Sequence, residues 1–229
     1  MLDFFEILKN IDWMPFYISL KLSFIATFLL FFIAMPLAYI FAYKKIRFKP
    51  IFETFFSLPL VLPPSVLGFY ILIFLSPYSF LGNFLDKNFD IRLVFNFAGL
   101  VIASVIYSFP FMFSPLLGGF KSVNQNLINA SFSLGKGEIK TLFYVILPAI
   151  KPALMSAIII SFAHTMGEFG VVLMIGGSLE GETKVASIAI YDSVELLDYS
   201  KAHIYSAVML VFSFVVLFLV IFFNHKKMV

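Results

Sequence analysis

Five long apolar stretches, four of them free of charged residues and one interrupted only by Glu168, punctuate this chain, and no other feature restricts its folding as tightly. The first covers Leu22 to Tyr43, and Phe16 to Leu20 can extend it beyond Lys21. The second runs from Thr54 to about Ser76, and the third from about Ala98 to Phe120. A fourth begins near Pro152 and stays apolar to Ile175, and a fifth spans Ile204 to Phe223. A helix needs roughly 20 apolar residues to cross a hydrocarbon layer about 30 Å thick, so each run can cross once. The polar residues between them could not cover a water-soluble globule of this size. Of 229 residues, 61% are hydrophobic and 13% are charged. The expected fold is all-α and integral to a membrane, one transmembrane domain over 1–229 with about five spans and no room for a second domain.

The charges between the runs give an orientation. Lys44, Lys45, Arg47, Lys49, Lys121, Lys136, Lys140, Lys151, Lys226 and Lys227 fall on one side of a five-span alternation. The other side holds Lys9, Lys87, Arg92, Lys184 and Lys201, with Lys21 at its edge. It also holds Asp3, Glu6, Asp12, Asp86, Asp90, Glu180, Glu182, Asp192, Glu195 and Asp198. Cytoplasmic loops are the ones enriched in Lys and Arg, so the N-terminus is expected outside and the C-terminus in the cytoplasm. The net charge of +3 therefore reports topology and not a nucleic-acid surface. Asp3, Glu6 and Asp12 against Lys9 lack the basic start of a cleaved signal peptide, so the first run is expected to be retained. The chain has no Cys, which removes disulfide and thiolate chemistry, and no metal site is expected.

Two loops are longer than a connection requires. The outer one, Gly176 to His203, alternates apolar and polar residues at roughly helical spacing over Val185 to Leu197, and a short helix against the outer face is expected there. The cytoplasmic one, residues 121–151, contains NASFSLGKGEIKTLFYVILPAIKPAL from Asn129 to Leu154. Gly135 can end a short helix in the left-handed conformation. A second helix from Glu138 to Ile146 is expected to stop before Pro148, because the residue preceding proline is pushed out of the helical region. Helix, turn, helix and stop would form a compact knob on which a partner could dock.

This loop resembles the EAA signature of ABC importer permeases. Ala130, Ser131, Gly135, Val145, Leu147 and Pro148 stand at the matching positions, and Asn129 stands where the family usually has Glu. That substitution removes a carboxylate from the proposed ATPase contact. LPLVLPPSVLGFY (Leu58 to Tyr70), YSFPFMFSPL (Tyr107 to Leu116) and Glu168 to Gly177, preceded by Gly167, are similar to the second, third and fourth spans of molybdate permeases. Sulfate and thiosulfate permeases are close relatives.

The resemblance implies a type I importer permease, a homodimer in the bacterial cytoplasmic membrane. Two cytoplasmic ATPases would bind ATP and Mg, and an external binding protein would deliver molybdate or tungstate. The chain has no G-x-x-x-x-G-K-[ST] loop, so no ATPase site of its own is expected, and no catalytic residue. A secondary transporter or membrane enzyme is the rival from a different class, although no series of buried acids and histidines offers a proton relay.

Pro59, Pro63 and Pro64 each remove a backbone donor and should kink the second span. With Ser65 and Gly68 they form either a break that lines the pathway or a kink used for packing, and Ser108 with Pro110 in the third span presents the same choice. Glu168 lies 16 residues beyond Pro152, about 24 Å along a continuous helix, which would bring it to the outer interface to snorkel as a structural or gate residue. His164, four residues earlier, is expected to be a satisfied packing residue that could pair with it. No Lys or Arg other than Lys21 lies in a span, so a dianion would meet hydroxyls, backbone N–H groups and water, and pass without tight binding.

Overall fold

The computed structural model describes residues 11–225, with the side chains of 219, 220 and 223–225 excepted. The readings that involve Asp3, Glu6, Lys9, Lys226 and Lys227 lie outside the described residues, as does the side chain of Phe223. The described residues are helical, without a strand. In chain order the helices are α1 (Met14–Tyr43), α2 (Lys49–Ser57), α3 (Pro64–Leu75), α4 (Phe80–Phe89), α5 (Phe97–Ser122), α6 (Gln125–Ser133), α7 (Glu138–Ala149), α8 (Lys151–Met166), α9 (Gly170–Gly176), α10 (Ala186–Glu195) and α11 (Tyr199–His225).

The bundle is built on α1, α5 and α8. Pro15 sits in the first turn of α1, where its missing N–H would have had no partner. The buried stripe of α1 is Leu22, Ala26, Leu30, Ala34, Ala38 and Phe41, at helical spacing. Its alanines let α5 approach closely, which is how helices pack where lipid provides no hydrophobic drive. Met112, Leu116 and Phe120 of α5 fill the facing side, and Tyr43 donates from its hydroxyl to the Phe120 carbonyl at 2.8 Å. Phe24, Phe28 and Phe32 on the opposite face of α1 are exposed, as a lipid-facing stripe requires.

Three helices, α1, α5 and α11, are long and apolar enough to cross unaided, and two bent pairs bring the total to five. The second crossing is not a single kinked helix. Lys49–Leu60 and Pro64–Leu75 meet at 108°, the last turn of the first being a tight helix over Leu58–Leu60. At 1.5 Å per residue α3 is only about 18 Å long. The fourth crossing starts from α7, which meets α8 at 73°, and is interrupted again between Met166 and Gly170.

The charges separate to the two ends as the loops foretold. Lys121 pairs with Glu53 at 3.3 Å at the lysine-rich end. At the other end Arg92 meets Asp86 at 3.0 Å and Lys184 meets Asp192 at 2.9 Å. Asp198 caps α11 there, accepting from the Lys201 backbone N–H and ion-pairing with its side chain. These two contacts hold its carboxyl below the usual range.

The outer helix expected between Val185 and Leu197 is α10. Its first turn is embedded: Ala186 and Ala189 are buried with Phe16 of α1 and Ile204 and Tyr205 of α11, and Ile188 with Ile18 and Leu22 of α1. Ala186 N–H donates to Ser19 Oγ at 2.8 Å.

Candidate coupling elbow and span break

At the lysine-rich end, α6 and α7 form an elbow. Leu134 closes α6, and Gly135 follows at φ +76°. Gly135 N–H bonds to Phe132 O at 2.9 Å and Lys136 N–H to Ser131 O at 3.1 Å, the paired closure that a left-handed glycine allows. Ser131, buried, meets Thr141 Oγ1 at 2.9 Å and ties α6 to α7. Asn129 and Ala130 are exposed one turn earlier, and Gln125 donates to Asn129 Oδ1 at 3.3 Å.

Pro148 does not end the second helix. The backbone widens into a π turn over Leu142–Ile146, with Leu147 N–H bonding five residues back to Leu142 O, and helical geometry continues through Pro148 to Ala149. The widened ladder accommodates the missing proline donor, and the turn falls at Ile150, whose N–H still bonds to Ile146 O at 3.0 Å. Val145 and Leu147 are partly buried along this stretch. Around the elbow Leu127, Leu134, Ile139, Phe143 and Tyr144 are all more than half exposed, beside Lys136 and Lys140. An apolar rim of this kind is unusual on a surface that also carries lysines and is available for docking.

The second constellation joins the two broken crossings. α3 starts at Pro64 and α9 at Gly170, and a Cβ on Gly170 would fall 2.7 Å from Pro64 Cβ. Gly68, one turn along α3, is buried against α9, where a Cβ would come 2.9 Å from Met174 Cβ. The two short helices are thus moored to each other. Pro63, Pro64 and Ser65 are exposed on the described chain, and so is Gly167 in the other break.

Ser108 and Pro110 are buried in α5, which continues unbroken past both Pro110 and Pro115. Ser108 Oγ lies 2.9 Å from His164 Nδ1 and 2.9 Å from Thr165 Oγ1, joining α5 to α8. His164 stacks on Phe111 at 3.8 Å between ring centroids. It is the satisfied packing residue expected, and it does not pair with Glu168.

Glu168 does not snorkel. It is 4% exposed, and neither carboxyl oxygen has a hydrogen-bond partner among the described residues. The depth expected from a continuous helix fails because α8 stops at Met166 and the chain turns inward. Ser104 Oγ of α5 faces the carboxyl, and Ser187 of α10 donates to the Glu168 carbonyl at 2.6 Å. Lys21 remains exposed, its ammonium 4.5 Å from the Phe97 ring centroid.

Ser104, Thr165, Gly170 and Ser187 were not singled out from the sequence. Ser104 and Ser108 stand four residues apart in an otherwise apolar span, a polar stripe that signals an internal helix face. No comparable signal marks Gly170 or Ser187, whose roles depend on helices distant in sequence.

Residues 34–227 match the family model described as binding-protein-dependent transport system inner membrane component. The chain belongs to this family. It is 40% identical over 201 residues to the molybdenum transport system permease protein ModB of Azotobacter vinelandii, covering 88% of this chain and 89% of the relative. It is 28% identical over 202 residues to a probable sulfate transport system permease protein of Prototheca wickerhamii, covering 88% and 79%. The structure superposes on a chain of a bacterial ABC transporter involved in the import of the acidic polysaccharide alginate. The TM-score is 0.76 at 20% identity, over 98% of this chain and 82% of the other, a likeness of fold alone. The chain is a multi-pass permease with the type I ABC importer fold.

Proposed function

We propose that this chain is the membrane-spanning subunit of an ATP-driven importer that moves molybdate or tungstate into the cytoplasm. It acts as a homodimer in a bacterial inner membrane. Two cytoplasmic ATPase subunits, which bind ATP and Mg, grip the α6–α7 elbows, and an external binding protein delivers the anion to the face that carries Glu180, Glu182, Asp192 and Glu195.

The observation that carries this reading is the elbow itself. A glycine-closed turn, a buried Ser131–Thr141 bond and an exposed apolar rim form a rigid handle at the end where lysines are concentrated. The handle leads through Ile150 into α8, about 24 Å of uninterrupted helix that ends at the Gly167 break. Movement of the elbow is therefore delivered at the break. Because Ser108 clamps α5 to α8, the two helices travel together.

The anion itself is argued from the 40% identical molybdenum permease, and the 28% identical sulfate permease supports the second reading. Uptake of labelled molybdate into cells with and without this chain, in the presence of excess sulfate or tungstate, distinguishes the two. Competition by tungstate and indifference to sulfate is the expected result, while suppression by sulfate would move the assignment to sulfate. Uptake that continues without ATP would remove the importer reading altogether.

A further inference from the structure

Among the described residues, Glu168 is the only ionisable side chain with both terminal polar atoms buried and without a hydrogen bond. Its main chain, in contrast, is held on both sides. The N–H reaches Thr165 O at 3.3 Å, and the carbonyl accepts from Ser187 Oγ at 2.6 Å. The carboxyl faces Ser104, whose hydroxyl is likewise buried and without a hydrogen bond among the described residues. Lys21 lies on an exposed face over Phe97, and His164 is turned toward Ser108. No group of three His, Cys, Asp or Glu residues that could hold a metal occurs among the described residues. A buried carboxyl with so little compensation is unfavourable and calls for an explanation in terms of function.

The surroundings offer one. Gly167, the preceding residue, is exposed, so the protein surface lies one residue from the buried carboxyl. The helix is already interrupted there, so the bonds a rotation would break are few: Glu168 N–H to Thr165 O and Ser187 Oγ to the Glu168 carbonyl. On one side of the break α8 is clamped to α5 through Ser108. On the other, α9 is moored to α3 through Gly68 and Gly170, and α3 starts at a break of its own. Glu168 thus lies at the junction between the α5–α8 clamp and the α3–α9 mooring, where α9 also packs on α5 through Ile175 and Leu100.

We infer that Glu168 is a positioning residue of the transport cycle, stored inside the bundle against Ser104 while the break is shut and turned out to water past Gly167 when the break opens. Ser187 links this switch to α10, so a partner bearing on the outer face bears on the Glu168 backbone as well. The inference rests on the importer reading, because the cycle that opens the break is that of the ATP-driven complex.

The absence of cysteine from the sequence makes the test direct. Glu168→Cys is introduced into the chain, assembled with its ATPase and binding protein in proteoliposomes, and exposed to a membrane-impermeant thiol reagent. Labelling is measured without nucleotide and after trapping with ATP and vanadate. Ser178→Cys, exposed in the outer loop, serves as the reference for reagent access. The expected result is at least a tenfold difference in labelling rate at residue 168 between the two states, with residue 178 labelled alike in both. Equal rates at residue 168 overturn the switch, since a purely structural side chain stays protected throughout. If Glu168→Cys does not assemble, Ser104→Cys on the facing wall must show the same tenfold difference, and equal rates there overturn the switch too. Unaltered protein that fails to take up molybdate with ATP would instead count against the importer reading, so the two failures are separable.

Discussion

Gly170 and Pro64, 106 positions apart in the chain, meet where the two broken crossings begin their second halves, with room for a Cβ only 2.7 Å from the proline ring carbon. Gly170→Ala must therefore push α9 away from α3. Overpacking of this kind costs about 1–3 kcal/mol. Gly118 of α5 provides the contrast, because a Cβ there would meet nothing within 4 Å and the alanine would favour helix. The expected outcome is a clear drop in the melting temperature of the detergent-purified protein for Gly170→Ala and little or no drop for Gly118→Ala. Equal melting temperatures for the two variants would show that the α3–α9 mooring is not tight.

The turn at Gly135 is constrained by its backbone and not by packing. A Cβ at this residue would have nothing within 4 Å, but φ is +76°. A β-branched residue in the left-handed region is strained by about 1–2 kcal/mol, whereas Asn tolerates that region better. Gly135→Val should lower uptake several-fold relative to ATP hydrolysis by distorting the elbow, and Gly135→Asn should retain most of it. The measurement is the ratio of transported anion to ATP hydrolysed in reconstituted complex. A Val variant with the normal ratio would dismiss the elbow as the coupling handle.

What could be read from the residues divides along local and non-local lines. The five apolar runs, two of them as bent helix pairs, and the glycine closure at residue 135 depend on short stretches of chain and are found as expected. The kink at Pro63 and Pro64 was legible too, but its 108° angle was not, because the direction taken after a proline break is set by what α3 packs on, here α9. Pro148 was misjudged for a related reason. A π turn lets the helix pass a proline, and the preference of the preceding residue is a bias that neighbouring packing overrides. Glu168 was misplaced because its depth was reckoned along an unbroken helix. Burial at that point comes from α5 and α10, which no local pattern connects to it.

Ser131 and Thr141 share a buried hydrogen bond across the elbow. Ser131→Ala leaves the Thr141 hydroxyl without a partner in a buried setting, at a cost of about 1–3 kcal/mol. Replacing both, with Thr141→Val in the same chain, removes the orphaned group and keeps the volume. The double variant is expected to recover a measurable part of the stability lost in the single one. A double-mutant cycle on the unfolding of the purified complex provides the test, and strict additivity of the two substitutions would mean that the hydroxyls do not interact.

The last prediction concerns what the crossings do not offer an oxyanion. Tight binding of a dianion calls for charge-assisted donors, as Arg and Lys provide. Among the described residues of α1, α3, α5, α8 and α9, the cations other than Lys21 stand at helix ends on the lysine-rich side, Lys121 and Lys151. The exposed Ser65 hydroxyl at the start of α3 can hydrogen-bond an anion's oxygens, but a neutral hydrogen bond nets only about 0.5–1.5 kcal/mol. Micromolar affinity corresponds to about 8 kcal/mol, which a few such bonds do not reach. Equilibrium dialysis of labelled molybdate against the purified permease–ATPase complex, without the binding protein, should therefore show dissociation constants well above the micromolar range. Retention at micromolar concentration would instead require a cationic site that these helices do not provide, and selectivity would then belong to the membrane complex itself.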